Sequence, residues 1–175
     1  MINKINFLFV TLFGIGKIKK IPGSIASLAT IFFLFFLFHI LNISLNIVLI
    51  CVVIIFFISL YAVNIFIKDL DNKDPKEVVI DEFIGQSIPI CLYEVAHEGA
   101  KETSQVLTFY FIMFILFRIF DIVKPYPVSY YDKNFKNSFG VIMDDVAAGL
   151  YVVAVLVLYM VISSWKKFLK KLLDY

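Results

Sequence analysis

The chain has 175 residues, 61% of them hydrophobic and 17% charged, with a mean hydropathy of +0.92, whereas a soluble domain is about half apolar and about a quarter charged. This is the composition of a membrane protein, and the length leaves room for one domain, residues 1–175, without a separate catalytic module. The net charge of +2 is too weak a bias for nucleic acid, and Cys51 and Cys91 lie in apolar runs with no CxxC spacing and no partner His, which argues against a disulfide framework or a zinc site.

The stretch Met1 to Gly16 has a short apolar core but no small-residue cleavage site, so it is expected to be retained. Ile25 to Ile43 is long enough to cross a hydrocarbon core of about 30 Å. After the uncharged turn Asn42, Ser44, Asn46, a second apolar run, Leu45 to Ile67, completes a helical hairpin. Lys4, Lys17, Lys19 and Lys20 precede the hairpin and Lys68, Lys73 and Lys76 follow it, so both flanks are expected on the cytoplasmic side. In Asp74-Pro75-Lys76-Glu77 an N-cap, a proline at the first helical position and a capping-box Glu predict a helix from Pro75. Two weaker apolar segments follow, Phe83 to Ala96 and Val106 to Phe120, each suited to a short crossing or half of a re-entrant hairpin. The last strong run is Ala147 to Ile162, ahead of the basic tail Lys166 to Lys171. With no strand signal, the expected fold is all-α: a polytopic bundle of about four to five membrane-embedded helices with short re-entrant or interfacial helices.

The charges collect beside the apolar segments. Asp81 and Glu82 project together from one helix face, with Gly85 leaving space beside them; two adjacent carboxylates repel and call for a cation. Arg118, Asp121 and Lys124 follow at three-residue steps in FRIFDIVKPYP, placing phosphate partners and a hard-metal ligand on one side of a helix that Pro125 ends. Asp144 and Asp145 open the last apolar run. Neighbouring helix residues diverge by about 100°, so one is expected as ligand, with Asp144 taken for that role, and the other as N-cap or supporting group. Ala147, Ala148 and Gly149 are small enough for another helix to approach closely. At the start of the first long helix, Pro22, Gly23, Ser24 and Ser27 offer free backbone N–H groups and hydroxyls that could cradle a phosphate. His39 and His97 are isolated and read as structural or exposed. Carboxylates, two cations and a phosphate-sized helix start at membrane boundaries suit magnesium-assisted phosphoryl chemistry on a lipid headgroup.

At these residues the chain resembles the phosphatidylglycerophosphatase A family, bacterial membrane enzymes that convert phosphatidylglycerophosphate to phosphatidylglycerol. The matching pieces are PGSIAS at 22 to 27, DEFIGQ at 81 to 86, FRIFDIVKPYPV at 117 to 128 and GVIMDDVAAGLY at 140 to 151, in the family's order. Ala26 departs from the glycine more common at its position. The resemblance implies magnesium dependence, an inner-membrane location and a role in phospholipid synthesis.

Other phosphatase designs do not fit. The sixth positions after Cys51 and Cys91 hold Phe57 and His97, not the Arg of a cysteine phosphatase, and no DxDx[TV] motif occurs. Metal-activated water is favoured over an aspartyl nucleophile. The rival class is a non-enzymatic membrane protein with an ion or proton path lined by carboxylates; it predicts acids near mid-span, whereas these lie at the ends of apolar runs. A shared site requires Phe83 to Phe117 to enter and leave as a hairpin. Five crossings would then export the basic tail against the positive-inside rule.

Overall fold

The structure is a computed structural model and describes residues 4–70, 75–97 and 102–173. Its described residues are helical: α1 (Lys4–Val10), α2 (Pro22–Phe35, continued by a wide π-type turn over Phe36–Ile40), α3 (Leu45–Ile67), α4 (Ile80–His97), α5 (Thr103–Val123), α6 (Val128–Asn134) and α7 (Ser138–Leu173). Four helices are long and apolar enough to cross a membrane: Pro22–Ile40, Leu45–Ile67, Thr103–Val123 and Ser138–Lys166. Large apolar side chains such as Phe57, Phe111 and Leu158 point outward from three of them, as suits helices solvated by lipid.

Their directions follow from what meets at each end. His39, in the turn closing α2, pairs with Glu94 near the end of α4 (Nε2–Oε1 3.3 Å), and the Tyr110 hydroxyl, early in α5, donates to the same oxygen at 2.8 Å. At the opposite end, Gly23 in the first turn of α2 lies against Glu82 in the first turn of α4 and Arg118 late in α5. Helices α2 and α4 are therefore parallel, and α5 runs against them. Helix α7 runs with α4: its Gly149 meets the Gly85 carbonyl, and its Leu156 and Met160 line a cavity with Pro89, Tyr93 and His97. The α4–α5 pair is the hairpin that a shared site demands. Its tip, residues 98–101, lies outside the described residues.

Small residues let α4 and α7 cross closely. A Cβ on Gly85 would stand 2.6 Å from the Asp145 carbonyl oxygen, and one on Gly149 would overlap the Gly85 carbonyl. Pro89 contributes, because it has no N–H to take the Gly85 carbonyl in the helix ladder and leaves that oxygen facing Gly149. The small triplet expected at 147 to 149 therefore marks a real helix contact.

Two helix starts differ from the expectations. Helix α4 begins at Ile80, not Pro75: the Val78 N–H closes only a turn onto the Pro75 carbonyl, and the Val79 N–H donates to Val10 at the end of α1 (3.0 Å). Gly16 lets this segment approach, since a Cβ there would overlap the Glu77 carbonyl. Val78 and Val79 are buried by that docking, which overrides the local capping signal. The expected N-cap, Asp74, lies outside the described residues. Helix α7 begins at Ser138, and Asn137 caps it by accepting the Gly140 N–H at 3.1 Å. Asp144 and Asp145 therefore sit inside the helix, and neither is its cap.

Candidate metal and phosphate site

The helix directions bring the acidic patches to one end of the bundle. Asp81 and Glu82 occupy the first turn of α4, Arg118 and Asp121 lie near the end of α5, and Asp145 reaches in from α7 across the Gly85–Gly149 contact. Carboxylate oxygens of Asp81, Glu82 and Asp145 all lie within 4.8 Å of one another. Asp81 and Asp145 are 7% and 3% exposed, and the Glu82 Oε2 is buried without a hydrogen-bond partner. Three acids this close and this dry repel strongly unless a cation lies among them. Their hard oxygen donors fit magnesium, which takes one or more carboxylates and fills its remaining positions with water and phosphate oxygens.

A cation is held beside the cluster. Arg118 pairs with Asp121 (Nη2–Oδ2 3.0 Å), as their three-residue spacing predicts, and its Nη1 lies 3.4 Å from the Ser27 hydroxyl. Ser27 in turn donates to the Gly23 carbonyl at 3.0 Å, so the first turn of α2 positions the guanidinium. A Cβ at 23 would overlap the Glu82 Oε1, so glycine here leaves the Glu82 carboxylate its present position. Ser27 thus serves Arg118, while Pro22 and Ser24 stand beside Gly23 in the first turn of α2. Asp121 is near enough to Glu82 and Asp145 to act on both electrostatically.

Lys124 departs from the expected row. Helix α5 ends at Val123, and Lys124 takes a left-handed conformation (φ 47°) that swings it away from Arg118. Its ammonium bridges Asp144 (2.7 Å) and Asp132 (2.9 Å), tying α6 to α7. Burial alone would lower its pKa, but the hydrogen bonds and charges of Asp144 and Asp132 outweigh that and hold it above its ordinary value. The neighbours of the two aspartates differ from those expected, although Asp144 is also near enough to Asp81 and Asp145 to act on both electrostatically. Asp144 is paired with Lys124, and Asp145 is the one grouped with Asp81 and Glu82. The reason is rotational: about 100° of helix separates the two, and the α4–α7 crossing selects position 145. Asp132 gave no signal in the sequence beyond being one of several charges in a polar stretch.

Beside the Lys124 bridge, Pro127 and Tyr131 face Met143, Ala147 and Tyr151 across an apolar cleft, closed at one side by the Tyr151 hydroxyl donating to the Tyr126 carbonyl. At the far end of the bundle, His39 is not isolated but joined to Glu94, and the His97 Nδ1 lies 2.9 Å from the Tyr93 carbonyl oxygen.

Residues 8–160 match the family described as phosphatidylglycerophosphatase A. The chain belongs to this family. It is 33% identical over 155 residues to the phosphatidylglycerophosphatase A of Haemophilus influenzae, covering 89% of this chain and 88% of that one. It is 29% identical over 108 residues to the Escherichia coli protein of the same name, covering 62% of this chain and 56% of that one. A putative phosphatidylinositol-3-phosphatase of Bacteroides thetaiotaomicron is 38% identical over 100 residues, 57% of each chain. No solved structure matches. The phosphatidylglycerophosphatase A match takes in α2, α4, α5 and the site-bearing part of α7, so the family's span and the acidic cluster coincide.

Proposed function

We propose that this chain is a magnesium-dependent lipid phosphatase that removes the terminal phosphate of phosphatidylglycerophosphate at the cytoplasmic face of a bacterial inner membrane. The observation that carries the reading is the largely buried triad Asp81, Glu82 and Asp145 beside Arg118, inside the span matched by the family. Asp81, Glu82 and Asp145 would hold magnesium, with Asp121 supporting them; the ion, when bound, polarises the phosphoryl oxygens and lowers the pKa of a bound water. Arg118, oriented by Ser27 and Asp121, offsets charge on the phosphate as the ester bond breaks. The net reaction takes a phosphomonoester and water to an alcohol and inorganic phosphate. The apolar cleft between α6 and α7 offers the lipid's acyl region a place next to the charged site. The competing ion-path reading lacks support from the placement of the acids, since the triad gathers at one end of the helices and Glu94 sits at the other.

The test is phosphate release by purified full-length chain in detergent micelles, using phosphatidylglycerophosphate and phosphatidylinositol 3-phosphate in parallel, with magnesium and with EDTA. Release from the first lipid that stops in EDTA and returns with magnesium is the expected result. Full release in EDTA would overturn the metal role, preference for the inositol lipid would overturn the substrate, and no release from either would favour the non-enzymatic reading.

A further inference from the structure

The side chain of Gln86 is fully buried (0% exposed), yet neither its Oε1 nor its Nε2 has a hydrogen-bond partner. Buried amides are nearly always satisfied, because leaving such a group unpaired forfeits its hydration with no return. Four residues separate Gln86 from Glu82 on α4, which places it one turn deeper and rotated by only about 40°. Glu82 Oε2 and Arg118 Nε, flanking the same first turn of α2, are buried and unpartnered as well. Unsatisfied donors and acceptors thus stack from the carboxylates down to Gln86, in a region otherwise packed by apolar residues such as Phe117 and Ile90.

We propose that Gln86 is a further residue of the reaction, binding the attacking water beneath Glu82 and Arg118. This rests on the phosphatase reading above. A carboxamide suits the task because it both accepts and donates without titrating: Oε1 takes one water hydrogen and Nε2 donates to Glu82 or to the water oxygen. With one O–H held, the water's lone pair faces phosphorus. The water oxygen forms the new P–O bond, the ester P–O bond breaks, one water proton passes to a carboxylate of the cluster, and that carboxylate returns the proton to the leaving alkoxide, which becomes the alcohol.

Gln86→Met keeps length and removes both polar atoms; Gln86→Leu does the same with a different shape, should the first perturb folding. Each is compared with wild type for kcat and KM on phosphatidylglycerophosphate, Mn2+ affinity by electron paramagnetic resonance, and Tm. The expected result is a fall in kcat of roughly 10- to 100-fold with KM and Mn2+ affinity within about two-fold and Tm unchanged or raised. An unchanged kcat would overturn the proposal. So would a raised KM at unchanged kcat, which assigns the amide to the headgroup, or a lowered Tm with weakened Mn2+ binding, which makes it structural. Wild type that releases no phosphate instead overturns the phosphatase reading on which the proposal stands.

Discussion

Asp144 and Asp145 are chemically identical neighbours with different surroundings. Asp145 lies among carboxylates with no cation bonded to it among the described residues, and Asp144 is held at 2.7 Å by Lys124. Asp145→Asn is expected to lower activity by more than about 100-fold and to weaken Mn2+ binding, as removal of the proposed metal ligand should. Asp144→Asn should cost about 10-fold, and Lys124→Gln a similar amount, with the double variant little worse than either because both break one ion pair. A double-mutant cycle on kcat/KM checks this; full additivity would show that the pair is not the functional unit. The Lys124 pKa is raised, so its contribution is complete below its unfolded value of about 10.4 and is lost only as pH climbs beyond that. Lys124→Arg should therefore leave the shape of the pH–rate profile between about pH 6 and 9 unchanged.

At the scale of elements, glycines separate packing from chemistry. Gly23 and Gly85 both face the cluster, but a Cβ at 23 would meet the end of a flexible Glu82 side chain, whereas one at 85 would stand 2.6 Å from the backbone of α7. Gly23→Ala is expected to depress activity by displacing Glu82 while moving Tm little. Gly85→Ala should push α4 from α7, with a destabilisation of about 1–3 kcal/mol and loss of activity together. Thermal unfolding in detergent alongside phosphate release distinguishes the two, and a Gly85→Ala protein with wild-type Tm would contradict the close crossing. The sequence showed small residues at 85 and at 147 to 149 as places of close approach, but neither that they meet each other nor the route by which α1 and Gly16 capture Glu77 and Val79. That contact joins residues far apart in the chain, so no local pattern reports it.

For the whole molecule, the order of directions places the N-terminal ends of α2, α4 and α7 with the C-terminal ends of α3, whose Val63 and Phe66 pack with Ile80 and Ile142, and of α5. If the site faces the cytoplasm, as proposed, the distal part of α7 lies on the other side. Single cysteines at Lys76 and Lys133, in a background without Cys51 and Cys91, should be protected from a membrane-impermeant thiol reagent in intact cells and react after permeabilisation. A cysteine at Ser164 should react in intact cells. Labelling at 133 without labelling at 76 would separate the acidic patches across the bilayer and exclude a shared site.

Composition and periodicity by themselves determined that this is an all-α, polytopic chain, where its apolar runs lie, and that its acids gather at their ends, because lipid solvation demands long apolar helices and penalises charge within them. The motif residues were legible for the same reason: charges kept beside such helices stand out. Only the tertiary structure decided which carboxylates converge, that Lys124 leaves the row of Arg118, that Asp132 completes its bridge, and that Gln86 is buried without partners. Each of these depends on helix rotation and on contacts between segments distant in sequence, where a turn of about 100° exchanges one aspartate for its neighbour and no single segment records which of them faces inward.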